Sequence, residues 1–170
     1  MQLLRLDGTV IGKGESLREI AEEHKADLHG ADLHGANLHG ADLQGADLQG
    51  AYLYGADLRW AEIRGASLQG ADLQGANLQG ADLGWADLSG ANLSWADLRY
   101  ADLSGADLSK AELCLAELRG VDLRKADLRG ANLSGADLSS IITDEHTKGL
   151  PIVGPLKEAT DATDTISAPD

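Results

Sequence analysis

Between Ala26 and Ser140, apolar and polar positions recur with a period of five, and no insertion breaks the register. The unit reads Ala, Asp or Asn, Leu, a variable residue, then Gly. Across 23 units the first position departs from Ala only at Val121, and the third departs from Leu only at Ile63. Neither regular element accommodates such a period. On an α-helix five residues turn the chain by about 500°, so successive Leu residues land about 140° apart and form no apolar stripe. A Gly in each unit costs a helix a further ~1 kcal/mol relative to Ala. On a straight strand side chains alternate, so an odd period sends each Leu to the opposite face. A chain that turns a corner once per unit resolves both conflicts. Ala and Leu then point inward from one short side, while the second, fourth and corner positions point outward. Gly stands at 15 of the 23 corners, where the backbone needs dihedrals that other residues resist. Coils stacked about 4.8 Å apart pair their backbones. The pattern predicts an all-β solenoid with a continuous Leu/Ala interior. Spacing alone does not separate three sides per coil from four.

Uninterrupted tandem A[D/N]LxG resembles the pentapeptide-repeat proteins over about two thirds of the chain. The resemblance implies a right-handed quadrilateral β-solenoid with four repeats per coil. At four per coil, the 23 repeats make 5.75 coils, a rod of roughly 28 Å.

The flanks read differently. Residues 1–25 are expected to form an N-terminal cap of hairpin and helix. Leu3-Leu4-Arg5-Leu6 and Thr9-Val10-Ile11 flank Asp7-Gly8, a type I′ turn signal. Ser16-Leu17-Arg18-Glu19 is a capping box, and Leu17, Ile20 and Ala21 give a helix an apolar face to about His24. Such a cap would cover the open end lined by Leu28, Leu33, Leu38 and Leu43. The repeats fill 26–140, and 141–170 is expected to hold a C-terminal cap and a mobile acidic tail. Ile141 falls in the Ala column of Ala101 and Val121, but Thr143 takes a Leu position, so the core should stop there. Leu150, Pro151, Ile152 and Val153 could fold over that end, and mobility is expected from Lys157 onward.

Length gives one domain. The apolar residues are mostly Ala and Leu with no Phe, which suits a thin solenoid better than a globule. With one cysteine, Cys114, no internal disulfide forms and a reducing compartment is favoured. No run approaches membrane-spanning length and the N-terminus lacks the pattern of a secretion signal, so a cytoplasmic protein with no membrane contact is expected. The net charge is -14, of which the repeats carry -9. That balance argues against direct nucleic-acid binding, which uses Lys and Arg to displace counterions. It suits a basic protein partner, or simply solubility.

If residues twenty apart share a column, Asp42, Glu62, Asp82, Asp102 and Asp122 form an entirely acidic one. It is the main candidate for a partner-binding surface. A short polar side chain beside a turn also bonds to its own backbone, the expected role for most of these residues singly. Trp60, Trp85, Trp95 and Tyr100 replace Gly at corners. Exposed aromatics of that kind either mark a contact surface or fill corner grooves. No metal or cofactor is expected. The calcium-binding nonapeptide is absent, and His29, His34 and His39 fall on successive sides, pointing apart. Ser89, Ser94, Ser104 and Ser109 have no histidine beside them in the pattern, so no enzyme is indicated.

The expected function is a non-enzymatic protein-interaction scaffold, monomeric or dimeric through a rod end. The alternative that the resemblance implies is a DNA-mimicking regulator of DNA gyrase or topoisomerase, of the quinolone-protecting kind. Leu at the core centres in place of Phe, the absence of an interrupting loop and the lack of a clear C-terminal dimer helix separate this chain from those relatives.

Overall fold

The computed structural model describes residues 1–150. Strands β1 (Gln2–Leu4) and β2 (Val10–Lys13) pair antiparallel, with a register shift between Leu3 and Leu4. Their connection is not the type I′ turn that Asp7-Gly8 suggests. Type I′ needs positive φ at both central residues. Here Gly8 alone has it, at +86°, and its N–H donates to the carbonyl of Arg5 at 2.9 Å. Arg5 and Thr9 close the loop through an N–H to carbonyl bond of 2.8 Å. The result is a three-residue loop, a type I turn followed by a left-handed Gly.

Helix α1 spans Leu17–Glu23. Ser16 caps it by accepting the Glu19 N–H at 3.1 Å, while the Glu19 carboxylate accepts the Glu15 N–H at 2.8 Å. Ile20 and Ala21 bury completely against the hairpin and first coil. A single 3-10 turn, Lys25–Asp27, then leads into the repeats.

From there the backbone pairs in parallel with itself at a constant offset. Asp32 pairs with Tyr52, Asn37 with Asp57, Asp42 with Glu62 and Asp47 with Ser67, and each series continues by steps of twenty. Four repeats therefore complete one coil. From Leu28 to Leu133 each third-position carbonyl accepts the N–H of the first residue of the next repeat, as from Ala36 to Leu33 at 3.0 Å. All 23 corners have φ between +57° and +75°, whether the residue is Gly or not. Every Ala and Leu position from Leu28 to Leu128 is buried, with at most 3% exposure. Fully burying one Leu stabilises by about 1.5–3 kcal/mol, so a column repeated over six coils is the main source of stability.

The cap supplies hydrogen-bond partners as well as cover. The first coil presents second-position N–H groups with no coil beneath. The Asp32 N–H donates to the Leu4 carbonyl (2.7 Å), that of Asp42 to the Glu22 carboxylate (3.0 Å), and that of Asp47 to the Lys25 carbonyl (2.8 Å). Arg18 donates to the carbonyls of His39 and Gly40. These contacts close an edge that would otherwise template strand pairing.

At the far end the Ala and Leu positions from Ala131 to Leu138 are only partly buried, as is Ile141. Backbone pairing nevertheless passes Thr143: Asp122 pairs with Ile142 and Asp127 with Lys148. The last step is twenty-one, so one residue is inserted after Thr143. Asp144 fills the gap, accepting the Lys125 N–H at 2.9 Å, while the Thr147 hydroxyl donates to the Leu123 carbonyl. Leu150 packs against the core. The expectations for Pro151, Ile152, Val153 and the tail from Lys157 lie outside the described residues.

Candidate protein-interaction surface

Each coil offers four sides. The first carries the Asp47 series, the second the Asp32 series, the third the Asn37 series and the fourth the Asp42 series. On the fourth side Asp42, Glu62, Asp82, Asp102 and Asp122 pair consecutively and do form one column. Most of these carboxylates are committed to their own turns. Oδ1 of Asp42, Asp82, Asp102 and Asp122 accepts the N–H two residues on, at 2.8–3.1 Å. Glu62 is a methylene longer and instead accepts from the Gln44 side chain.

The column is also partly neutralised. Lys25 reaches Asp42 at 3.0 Å, Arg64 stands 3.9 Å from Asp82, and Arg124 pairs with Asp122 at 2.5 Å. The Lys25 bond holds the Asp42 carboxyl below the usual carboxylate range, and Arg124 does the same to Asp122. Among the described residues, Glu62 and Asp102 have no ion pair. Lys25 comes from the cap, and no repeat-column reasoning places it there.

Two other sides differ. On the third, Arg59 grips Asp57 in a two-point bond, Arg99 does the same to Asp97, and Arg99 also meets Glu117 at 3.1 Å. Those guanidinium bonds lower both aspartate pKa values. On the first side, Asp47, Asp87 and Asp107 accept the N–H two residues on but make no ion pair among the described residues. The first side is thus a further acidic column, interrupted only by Ser67 between Asp47 and Asp87.

At the corners, Trp60, Trp85, Trp95 and Tyr100 have φ of +57°, +61°, +64° and +61° and are 56–63% exposed. A left-handed conformation costs a non-Gly residue about 1–2 kcal/mol. Each of three rings lies across the corner glycine of the next coil. A Cβ on Gly80 would stand 2.6 Å from the Trp60 ring, one on Gly105 2.7 Å from Trp85, and one on Gly120 2.8 Å from Tyr100. Trp95 has Leu115 in that place, and Leu115 in turn leaves no room for a Cβ on Gly135. Groove filling and exposure therefore coexist: the rings rest on glycine yet keep more than half their surface in solvent. Trp60 and Tyr100 share one corner column, Trp95 and Leu115 share another, and Trp85 stands beside the acidic fourth side. Tyr52 and Tyr54 stack on the second side with centroids 6.2 Å apart.

A model of pentapeptide repeats matches residues 24–50, 41–80, 76–113 and 101–139. The chain belongs to the pentapeptide-repeat family. Among solved structures, this pentapeptide-repeat protein is similar to one from Nostoc PCC 7120, at 46% identity over 55% of this chain and 77% of that chain, with a TM-score of 0.53. It is also similar to HetL of Nostoc sp. strain PCC 7120, involved in heterocyst differentiation regulation. That match has 40% identity over 65% of this chain and 52% of HetL, TM-score 0.34. A pentapeptide repeat protein of the Arabidopsis thaliana thylakoid lumen is 30% identical over 79% of this chain and 78% of its own, TM-score 0.32. No curated protein sequence matches.

Proposed function

We propose that the chain is a non-enzymatic scaffold, acting in the cytoplasm, that binds another protein through the aromatic corners of a right-handed rod of square section. One observation carries this reading. Four aromatic side chains occupy corners whose backbone favours Gly, and each stays more than half exposed. Groove filling does not require an aromatic, since most corner columns are glycine throughout their N-terminal half. Backbone strain retained at an exposed aromatic points to a contact surface. The column of Asp42, Glu62, Asp82, Asp102 and Asp122 would add long-range attraction for a basic partner, moderated by Lys25, Arg64 and Arg124. The acidic balance of the whole rod favours the second reading, a DNA-mimicking regulator of gyrase.

The test compares the protein with a variant carrying Trp60→Gly, Trp85→Gly, Trp95→Gly and Tyr100→Gly, which keeps every corner conformation available. Both are immobilised and challenged with bacterial lysate and with purified gyrase. A partner held by the parent and lost from the variant supports corner binding. Retention by both removes it, and inhibition of supercoiling by either selects the gyrase reading.

A further inference from the structure

We propose that copies of this chain pack side by side with parallel axes, the third side of one rod lying on the first side of the next. Two rods of net charge -14 repel each other, and the repulsion is weakest where one of them presents its least acidic face. Counting second and fourth positions of the repeats, the third side has net charge -1, the second and fourth -3, and the first -4. The third side is therefore the face that a second rod approaches against the least repulsion.

The rung pattern selects the other. Take coil one as residues 26–45 and each later coil as the next twenty. The third side carries Arg59, Arg99 and Arg119 in coils two, four and five, with neutral Gln79 in coil three. The first side carries Asp47, Asp87 and Asp107 in coils two, four and five, with neutral Ser67 in coil three. Cations and carboxylates match rung for rung. Of the first side's aspartates, Asp27 pairs with Arg5 and Asp127 with Arg129, whereas these three make no ion pair among the described residues. The fourth side fails the match, because Arg64 and Arg124 would meet Arg59 and Arg119. The second side fails too, offering Tyr52 and Asn92 to Arg59 and Arg99. Each arginine lies twelve residues further along its coil than its aspartate, a climb of about 3 Å at one strand spacing per coil, within reach of so long a side chain. Asp57, Asp97 and Glu117 on the same rungs are held by the side's own arginines, Asp57 by Arg59 and both Asp97 and Glu117 by Arg99, while Arg119 makes no ion pair among the described residues.

The edges fit the same arrangement. The third side is bounded by the corner column of Trp60 and Tyr100, whose rings lie over Gly80 and Gly120 in coils three and five. Across the contact comes the corner column of Trp85, whose ring lies over Gly105 in coil four. The rings therefore alternate along the axis over coils three, four and five, so that no ring stands directly opposite another. On the opposite edge Trp95 faces Gly90, and Leu115 faces the aliphatic stem of Lys110. Because the two faces differ, the contact does not close on itself, and assembly grows with concentration.

Sedimentation equilibrium of the purified full chain at increasing concentration tests this. The weight-average mass should at least double, as expected of an open heterologous contact. Asp47→Asn/Asp87→Asn/Asp107→Asn keeps the Oδ1 acceptor of each turn and should abolish the rise, as should Arg59→Glu/Arg99→Glu/Arg119→Glu. Asp42→Asn/Asp82→Asn/Asp102→Asn on the fourth side should associate like the parent. Mixing the Arg59→Glu/Arg99→Glu/Arg119→Glu protein with Asp47→Arg/Asp87→Arg/Asp107→Arg should restore association that neither shows alone. A parent that stays monomeric, a first- or third-side Asn or Glu variant that associates normally, or equal loss in the fourth-side control would each overturn the proposal. No lysate or partner enters the experiment, so its failure leaves corner binding standing, and the converse also holds.

Discussion

Leu103→Ala probes the interior where its geometry is most constrained. Leu103 is fully buried, as are Leu83 and Leu123 on the adjoining coils. Its N–H donates to the Asp122 backbone carbonyl at 2.9 Å, while the Asp102 N–H donates to the Ala81 carbonyl at 3.0 Å. The backbone is thus tied to the coil on either side and has little freedom to close around missing methyl groups. Leu→Ala in a core costs ~2–5 kcal/mol, rising with the cavity left behind. Poor relaxation places Leu103→Ala at ~3–5 kcal/mol. Leu133, near the C-terminal end, is only partly buried, so Leu133→Ala should cost less, ~1–2 kcal/mol. Guanidinium unfolding followed by circular dichroism measures both, provided the slopes agree. Leu103→Arg should be worse than either, and Gln79→Arg on the surface nearly silent. Equal losses for Leu103→Ala and Leu133→Ala would refute the picture of a core tightened by coils on both sides.

Gly105→Ala should destabilise by ~1–3 kcal/mol, because φ is +71° and the new Cβ would meet the Trp85 ring at 2.7 Å. Trp85→Gly in the same chain should recover part of that loss in a double-mutant cycle, and full additivity would deny the contact. Deleting residues 1–25 should produce aggregation visible by light scattering, since the N–H groups of Asp32, Asp42 and Asp47 lose their acceptors; a stable monomer would show that the segment does not cap. Asp57, Asp97, Asp122 and Asp127 all have pKa values lowered from 3.8 by their arginines. A lowered folded pKa gives stability that is complete above the unfolded value and lost as pH falls through the folded one. Thermal melts should therefore hold steady from neutrality down to mild acid and drop below 3.8, and Arg99→Gln should flatten that drop.

The interior was legible because one residue type fills each inward position, so a single period fixes every core contact. The turn at Asp7-Gly8 was not, because loop length decides its type: Arg5 pairs with Thr9, leaving three loop residues instead of two. The inserted residue after Thr143 was hidden for a related reason, since Asp144 and Thr147 replace the Leu and Ala signals with hydrogen bonds. Surface electrostatics were legible only in part. A repeat column shows which carboxylates stack, but Lys25 reaches Asp42 from outside the repeats. The resting place of the corner rings was visible in principle. Trp60, Trp85 and Tyr100 are each followed twenty residues later by Gly, a signal that emerges once four repeats per coil are assumed.

The twenty-residue register determines which side chains share a surface, and a pair of cysteines reads it directly. The Gln69 amide donates to the Ser89 hydroxyl at 3.3 Å on adjacent coils, and stacked backbones lie about 4.8 Å apart, within the span a disulfide bridges. In a Cys114→Ser background, Gln69→Cys/Ser89→Cys should oxidise to an intramolecular disulfide without loss of thermal stability. Gln69→Cys/Gln74→Cys, only five residues apart but on adjoining sides, should stay reduced under the same conditions. Rapid oxidation of the second pair, or failure of the first, would contradict the four-repeat coil and every surface built on it.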